Sequence, residues 1–249
     1  VEYLFWMTSP APLTPGPTLR RPARLADVVV ESLLDGVVSG DLPEGSTLPN
    51  EPALCAEFGV SRTVIREAVK TLEEKGLVKA RQGLGTTVLG QDAWNLLDPM
   101  VLAAIVRHDD QLAVLDQLVS VRSALESQMA GQAAALGTME QKVSIRDAWT
   151  AMAAQVADAV AFADTDVEFH ERVMLASGNR LARAIVRTVH AEARTSLRYV
   201  GHPSRADCEL SNAQHLAVLE AIEAGDAESA SEAMTNHIAD AWSRRRPRP

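Results

Sequence analysis

The sequence predicts a mostly α-helical protein in two parts, a small N-terminal unit ending in a β-hairpin and a larger all-α bundle. Three observations carry this expectation. Apolar residues recur at three- and four-residue steps through most of the chain after Gln91, the period of a buried helix face. Only one stretch, Leu77–Leu89, changes to short β-prone runs around glycines. At 249 residues with 47% hydrophobic and 4% aromatic content, the chain is long enough for two cores built mainly from aliphatic side chains.

In chain order, the stretch before Met7 and the Pro- and Thr-rich Ser9–Pro22 read as lead-in, so residues 1–17 are expected to be disordered. Leu25–Gly40 places Leu25, Val28, Val29, Leu33, Val37 and Val38 on one helical face, and Gly40 is a natural stop. Pro43, Gly45 and Pro49 mark a turn before a short helix over Glu51–Phe58. Gly59 and Val60 turn the chain, and Ser61 caps a helix running to about Lys75 with Val64, Ile65, Ala68, Val69 and Leu72 inward. Leu77–Ala80 and Thr86–Leu89 then flank a turn holding Gly83 and Gly85. Helix, helix, turn, helix and hairpin make a winged helix-turn-helix over residues 18–90.

A recognition helix must present donors at its N-terminal end to base edges and phosphates. Ser61, Arg62, Thr63 and Arg66 are the candidates, with Arg62 and Arg66 four apart on one face and Lys70 and Lys75 extending the positive character. The formal net charge of −9 excludes a protein that is basic all over, so any DNA-binding face is local. GLGTTV is no dinucleotide loop, because it lacks the third glycine and leads into a strand.

Residues 91–110 read as a connector in which Asp98 caps a short helix through about His108. Candidate helices follow near Gln111–Leu136, Met139–Phe162, Asp166–Ser177, Leu181–Tyr199, Asp207–Ala224 and Ala227–Ser243, forming a bundle over residues 111–243. The basic end, residues 244–249, is expected to be a solvated tail. Asp166 and His170 stand four apart on one helix face, and His215 and His237 fall in later helices. One carboxylate and three imidazoles suit zinc or another first-row divalent ion, although lone helical histidines are more often surface or hydrogen-bonded residues.

Cys55 and Cys208 offer neither a disulfide framework nor a C-x-x-C zinc site, which fits a reducing, cytoplasmic setting. The apolar run Val101–Val106 is far too short to span a bilayer, and no partner membrane is expected. His108, His190 and His202 read as ordinary polar residues.

The stretch LPNEPALCAEFGVSRTVIREAVKTLEEKGLVKARQGLGTTV resembles the DNA-binding domain of the GntR family of bacterial transcription regulators. The resemblance implies major-groove contacts from Arg62 and Arg66, phosphate or base contacts from Ser61 and Thr63, and a minor-groove approach by Gly83. Many members carry an arginine where this chain has Pro52, so their operator preference does not transfer. VRSALESQMAGQAAAL, DVEFHERVMLASGNRLA and HLAVLEAIEAGDAESASEAMTNHI resemble the FCD effector domain of the FadR subfamily. That likeness implies a divalent metal, zinc foremost with nickel or manganese as alternatives, on Asp166, His170, His215 and His237. It also implies a small carboxylate effector with Arg122 as counter-charge, or Arg122 salt-bridged to Glu126 instead; Asn212 is a candidate for an effector hydroxyl, and Asn179 for a helix end.

The implied function is a homodimeric, ligand-responsive repressor of a palindromic operator. WNLLDP at Trp94–Pro99 resembles the connector of members that regulate sugar-acid catabolism, which points to an aldonate. The alternatives are a sensor of the metal itself and a metal-dependent hydrolase; for the latter the chain has no H-E-x-x-H, G-x-S-x-G or phosphate-binding loop.

Overall fold

A computed structural model describes residues 21–246, so the expected lead-in over residues 1–17 and the last residues of the basic end lie outside it. The N-terminal unit opens with α1 (Arg21–Ser39), α2 (Glu51–Phe58) and α3 (Arg62–Glu74), followed by β1 (Val78–Arg81) and β2 (Gly85–Val88). Asn50 caps α2 by accepting from the Ala53 amide, and Ser61 caps α3 by accepting from Val64. Gly59, at φ 64°, adopts the left-handed conformation that ends α2.

The buried face of α1 is rotated from the one the sequence suggested. Ala26, Val29, Val30, Leu33, Leu34 and Val37 point inward, while Leu25 and Val28 are exposed and Val38 is half-buried. Both stripes have helical period; packing against α3 selects the one that meets Ile65, Ala68 and Leu72.

β1 and β2 pair antiparallel with Val78 opposite Val88 and Arg81 opposite Gly85. Thr47 bridges to Thr87, with the Leu48 amide donating to Thr86 and the Val88 amide to Ser46, so a segment that read only as turn adds a third short edge. At Gly76 the φ is 78° and a β-carbon would stand 2.1 Å from the Ala93 carbonyl oxygen. Only glycine lets the end of α3 pass this close to the connector.

The connector is packed. After a 3-10 turn at Gln91–Ala93, Trp94 is buried and donates from its indole to the Leu89 carbonyl at 3.1 Å. Asp98 caps α4 (Pro99–Arg107) through the amides of Met100 and Val101, and its other oxygen lies 2.6 Å from Lys75 Nζ. Lys75 is therefore a half-buried tie to the connector and not an extension of the DNA-facing charge. Val101 and Ala104 join the core of the N-terminal unit, and Leu102 and Val106 on the opposite face join the core of the bundle. One two-turn helix thus seals both units.

The bundle comprises α5 (Ala113–Leu136), α6 (Met139–Ala153), α7 (Ala159–Ala176), α8 (Arg180–Ala193), α9 (Leu197–Val200), α10 (Arg205–Ala224) and α11 (Ala227–Arg245). α11 lies along α5, α10 packs on α11, and α6 pairs with α7 around Leu115, Ile145, Met152, Phe169, Leu219 and Met234. Two expected helices are broken. Met139–Phe162 divides at residues 154–158 because Asp158 turns its carboxylate onto the amides of Val160 and Ala161 and starts α7 early. Leu181–Tyr199 divides after Ala193, and the short α9 swings Tyr199 into the core. The first three residues of the expected solvated tail, 244–246, are also corrected: α11 continues through Arg245, and Arg246 forks onto Asp116 with bonds of 2.9 and 2.8 Å.

No helix among the described residues is long and apolar enough to cross a membrane.

Candidate metal centre and DNA-binding face

α7 brings Asp166 and His170 to one face by their four-residue spacing, α10 adds His215 and α11 adds His237. All four offer a ligand atom within 4.8 Å of the others. The Nε2 atoms of His170 and His237 are 3.3 Å apart, those of His215 and His170 are 3.2 Å apart, and His215 Nε2 is 3.3 Å from an Asp166 oxygen. Bonds of about 2.0–2.1 Å put the ligand atoms of a tetrahedral ion roughly 3.3 Å from one another. The donor set and its spacing fit a divalent first-row cation.

Burial sets the protonation of the cluster. The three imidazoles are 2%, 0% and 3% exposed for His170, His215 and His237. Burial pushes the pKa of His215 down to about 3 against the opposing pull of Asp166, and burial with His215, His170 and Arg122 as neighbours drives that of His237 well below its usual value. Kept neutral, His215 and His237 can offer Nε2 lone pairs as ligands. Among the described residues His237 Nδ1 has no hydrogen-bond partner and His215 Nδ1 has none of normal geometry, though the Ser211 carbonyl one turn earlier favours its protonation. Burial would raise the Asp166 carboxyl, but His170, His215 and Arg245 outweigh it and keep it ionised.

The titration has a direct consequence for the metal-free protein. His215 stays neutral in the fold down to about pH 3, whereas in the unfolded chain it protonates near 6.5. Between those values the unfolded state binds more protons, so stability falls as pH drops, by up to about 1.4 kcal/mol per pH unit for one histidine. The urea midpoint of chelator-treated protein is expected to be lower at pH 5 than at pH 7.5; an equal or higher midpoint at pH 5 would contradict this environment for His215.

A second layer holds the first. His170 Nδ1 is 2.5 Å from a Glu126 oxygen, the other Glu126 oxygen accepts from Arg122 at 2.7 Å, and Arg122 also bonds the Tyr199 hydroxyl. Burial opposes ionisation of Glu126, but Arg122 and His170 hold its carboxyl well below the usual carboxylate range. The carboxylate fixes the ring so that Nε2 faces the cluster. Phe169 packs edge-on against His215 at 4.8 Å between ring centroids.

The cluster opens onto a cavity of about 620 Å³, reached by Asp166, His170 and His237. Arg122 lies in its wall but is committed to Glu126 and Tyr199, the salt-bridge alternative that the sequence left open. Asn212 is not in the wall. Its carbonyl accepts from the Trp149 indole at 3.2 Å and its side-chain oxygen is buried unpartnered, while Ser211, one position earlier and a full turn before His215, faces the cavity instead. His190 and Arg245, neither expected at a site, do line it. The signal for both was weak: His190 belongs to no spacing motif, and Arg245 sits in what read as a tail. Asn179 caps α8 through the Ala182 amide, as a helix end. Cys208 is buried in the cavity wall and Cys55 half-buried on α2.

At the other end, Ser61, Arg62, Thr63 and Arg66 are exposed on the first turns of α3, opposite its buried stripe of Val64, Ile65, Ala68 and Leu72. Arg62 forms no ion pair among the described residues, whereas Arg66 Nε is 2.9 Å from Glu51 on α2. Pro52 occupies the next position of α2 and faces solvent. Gly83, at φ 77° with open space around it, forms the tip of the hairpin.

Residues 25–88 match the profile of the bacterial regulatory proteins of the gntR family, and residues 117–240 match the FCD domain. A regulator of Escherichia coli (strain K12), the uncharacterized HTH-type transcriptional regulator YieP, is 32% identical over 84% of this chain and 90% of its own length. The chain belongs to the GntR family. Its combination with an FCD domain is the FadR-subfamily architecture, that of DNA-binding transcriptional regulators and not of enzymes. Among other GntR relatives, the galactonate operon transcriptional repressor of Escherichia coli (strain K12) is 28% identical over 88% of this chain and 95% of its own. The HTH-type transcriptional repressor NanR of Salmonella arizonae is 30% identical over 92% and 88%. The solved structure of Lar, which controls the Listeria monocytogenes agr system, superposes with a TM-score of 0.56 at 19% identity, covering 93% of this chain and 98% of that one, and shares the fold.

Proposed function

We propose that this GntR-family regulator is a repressor that releases its operator on binding a small carboxylate, a sugar acid, beside a divalent metal held by Asp166, His170, His215 and His237. The observation that carries the reading is the convergence of four ligand atoms on the wall of a cavity large enough for a six-carbon acid. Zinc suits the donor set best, with nickel and manganese as alternatives. When bound, the ion supplies a Lewis-acid centre for the acid's oxygens. The aldonate assignment draws on the likeness to the galactonate operon repressor.

In this reading residues 18–90 bind DNA, 91–110 connect, and 111–243 bind the effector and dimerise. Ser61, Arg62, Thr63 and Arg66 contact a palindromic operator, with Gly83 at the minor groove. The effector must prefer one arrangement of the two units, or it could not shift the population. A physical route exists: α9 forms part of the cavity wall, and its Arg198 donates to the Asp109 carbonyl at 2.7 Å and pairs with Asp110 at the foot of α4. α4 in turn holds α1 through Arg107 and Asp35.

Fluorescence anisotropy on DNA from upstream of its own gene, titrated with aldonates and short hydroxy acids, tests the proposal. Release by one acid, abolished by chelation, supports it. Release that follows metal concentration with no acid present would replace it with the metal-sensor reading.

Glu126→Gln is expected to weaken metal retention about 10- to 100-fold, as loss of an outer-layer carboxylate does. It also leaves Arg122 buried without its counter-ion, so the metal-free protein loses stability as well. Metal content after dialysis against a graded chelator, with parallel thermal melts, reads both; unchanged metal affinity would remove Glu126 from the centre.

A further inference from the structure

The cavity beside the metal cluster has four arginines in its wall, and their partners sort them. Arg122 is spent on Glu126 and Tyr199. Arg194 pairs with Asp164 at 2.9 Å. Arg244 lies 3.8 Å from an Asp207 oxygen and 3.5 Å from Gln214. Arg245 has no carboxylate partner among the described residues: its Nε donates to the Ala241 carbonyl at 3.0 Å, and neither terminal nitrogen makes a hydrogen bond to any of the described residues.

Arg245 is nevertheless held in place. Its guanidinium lies 5.4 Å from the centroid of the Tyr199 ring, which itself stacks on Trp242 at 5.7 Å. Its stem passes Gly201, where an added β-carbon would be 3.7 Å from Arg245 Cβ and Cγ, at a φ of 62° that favours glycine. A half-buried, positioned guanidinium with its planar end uncommitted is a receptor for a carboxylate.

We infer that Arg245, and not Arg122, binds the effector's carboxylate, and that the cavity selects hydroxylated monocarboxylates. The inference rests on the effector reading above and names the anion-binding residue within it. Arg122 becomes a positioning residue that acts through Glu126 on His170. Arg245 is the one arginine of the wall without a carboxylate partner among the described residues, so were the metal to take the acid's hydroxyl oxygens, no second cation would remain for another carboxylate or a phosphate ester. The remaining polar wall suits hydroxyl groups: Ser211 offers a donor and acceptor, and His190, kept neutral by burial and Arg122, offers the same pair.

The test is isothermal titration calorimetry of the zinc-loaded full chain with D-gluconate, D-galactonate and L-lactate, and with D-glucitol as an uncharged counterpart. Arg245→Met is expected to lower affinity for the bound acid roughly 10- to 100-fold, the weight of a lost charge-assisted hydrogen-bond pair. Zinc stoichiometry and melting temperature stay at wild-type values, and Arg245→Lys recovers part of the affinity. Arg122→Met shows the reverse signature of weaker zinc retention and a lower melting temperature. Acid affinity unchanged in Arg245→Met overturns the inference while leaving the effector reading standing. A zinc-loaded wild type that binds none of the three acids, or binds D-glucitol as well as D-gluconate, overturns both.

Discussion

Purified His215→Ala protein is expected to retain no stoichiometric metal and to lose its response to effector, while its DNA-binding unit remains folded. His215 is wholly buried, and its Nε2 is within 3.3 Å of both His170 and Asp166, so its loss removes the ligand that ties α10 to α7. The affinity loss should exceed the roughly 10- to 100-fold expected for an outer-layer partner, because a bond to the ion itself is removed. Stability follows by mass action: metal at a thousand times its dissociation constant stabilises the native state by about 4 kcal/mol. That increment is expected in the wild type on adding metal and to be absent in the variant. Thermal melts with and without added zinc, together with elemental analysis, check this; a variant stabilised by zinc as much as the wild type would rule out the proposed centre.

Arg62→Ala is expected to lower operator affinity by about 1–3 kcal/mol, roughly 5- to 150-fold, the worth of one bidentate base contact. Arg62 stands exposed at the first position of α3 with no ion-pair partner among the described residues, so its fork is available to a base edge. Arg66→Ala should cost less, because Arg66 must first give up its 2.9 Å bond to Glu51. Glu51→Ala is accordingly expected to raise affinity for DNA in general, by freeing Arg66 and removing a negative charge from the face. Anisotropy titrations at two salt concentrations on operator and scrambled DNA separate the effects. Equal losses for Arg62→Ala on both DNAs would reassign Arg62 to phosphate contact.

The helical class, the winged hairpin and the caps were legible because each rests on local physics. Ser61 and Asp98 cap helices from their own side chains, Asn179 sits at a helix end, and Gly59, Gly76 and Gly83 take up positive φ where the turns need it. The Asp166–His170 pair was legible for the same reason, since four-residue spacing on a helix already puts both on one side. Its meeting with His215 and His237 was not read from spacing; it entered through family likeness, and the packing of α7, α10 and α11 is what brings the rings together.

Where the sequence reading went astray, contacts distant in the chain were responsible. The inward face of α1 was decided by α3, and the end of α11 by Asp116, 130 residues before Arg246. Asn212 and Ser211 are indistinguishable as candidates until α10 packs and turns one toward Trp149 and the other toward the cavity. Asp158 competes with a continuous helix through a single side-chain cap that no glycine or proline announces. By itself the sequence determined the helical class, the winged hairpin and several helix starts, and it offered the side chains that are candidates for metal-binding and DNA-binding chemistry, because these are properties of period, caps and side-chain type. Only the tertiary structure decided which charges are already neutralised. Arg122 and Arg245 are chemically identical in the sequence, and the first is consumed by a buried glutamate one turn away while the second is left facing the cavity.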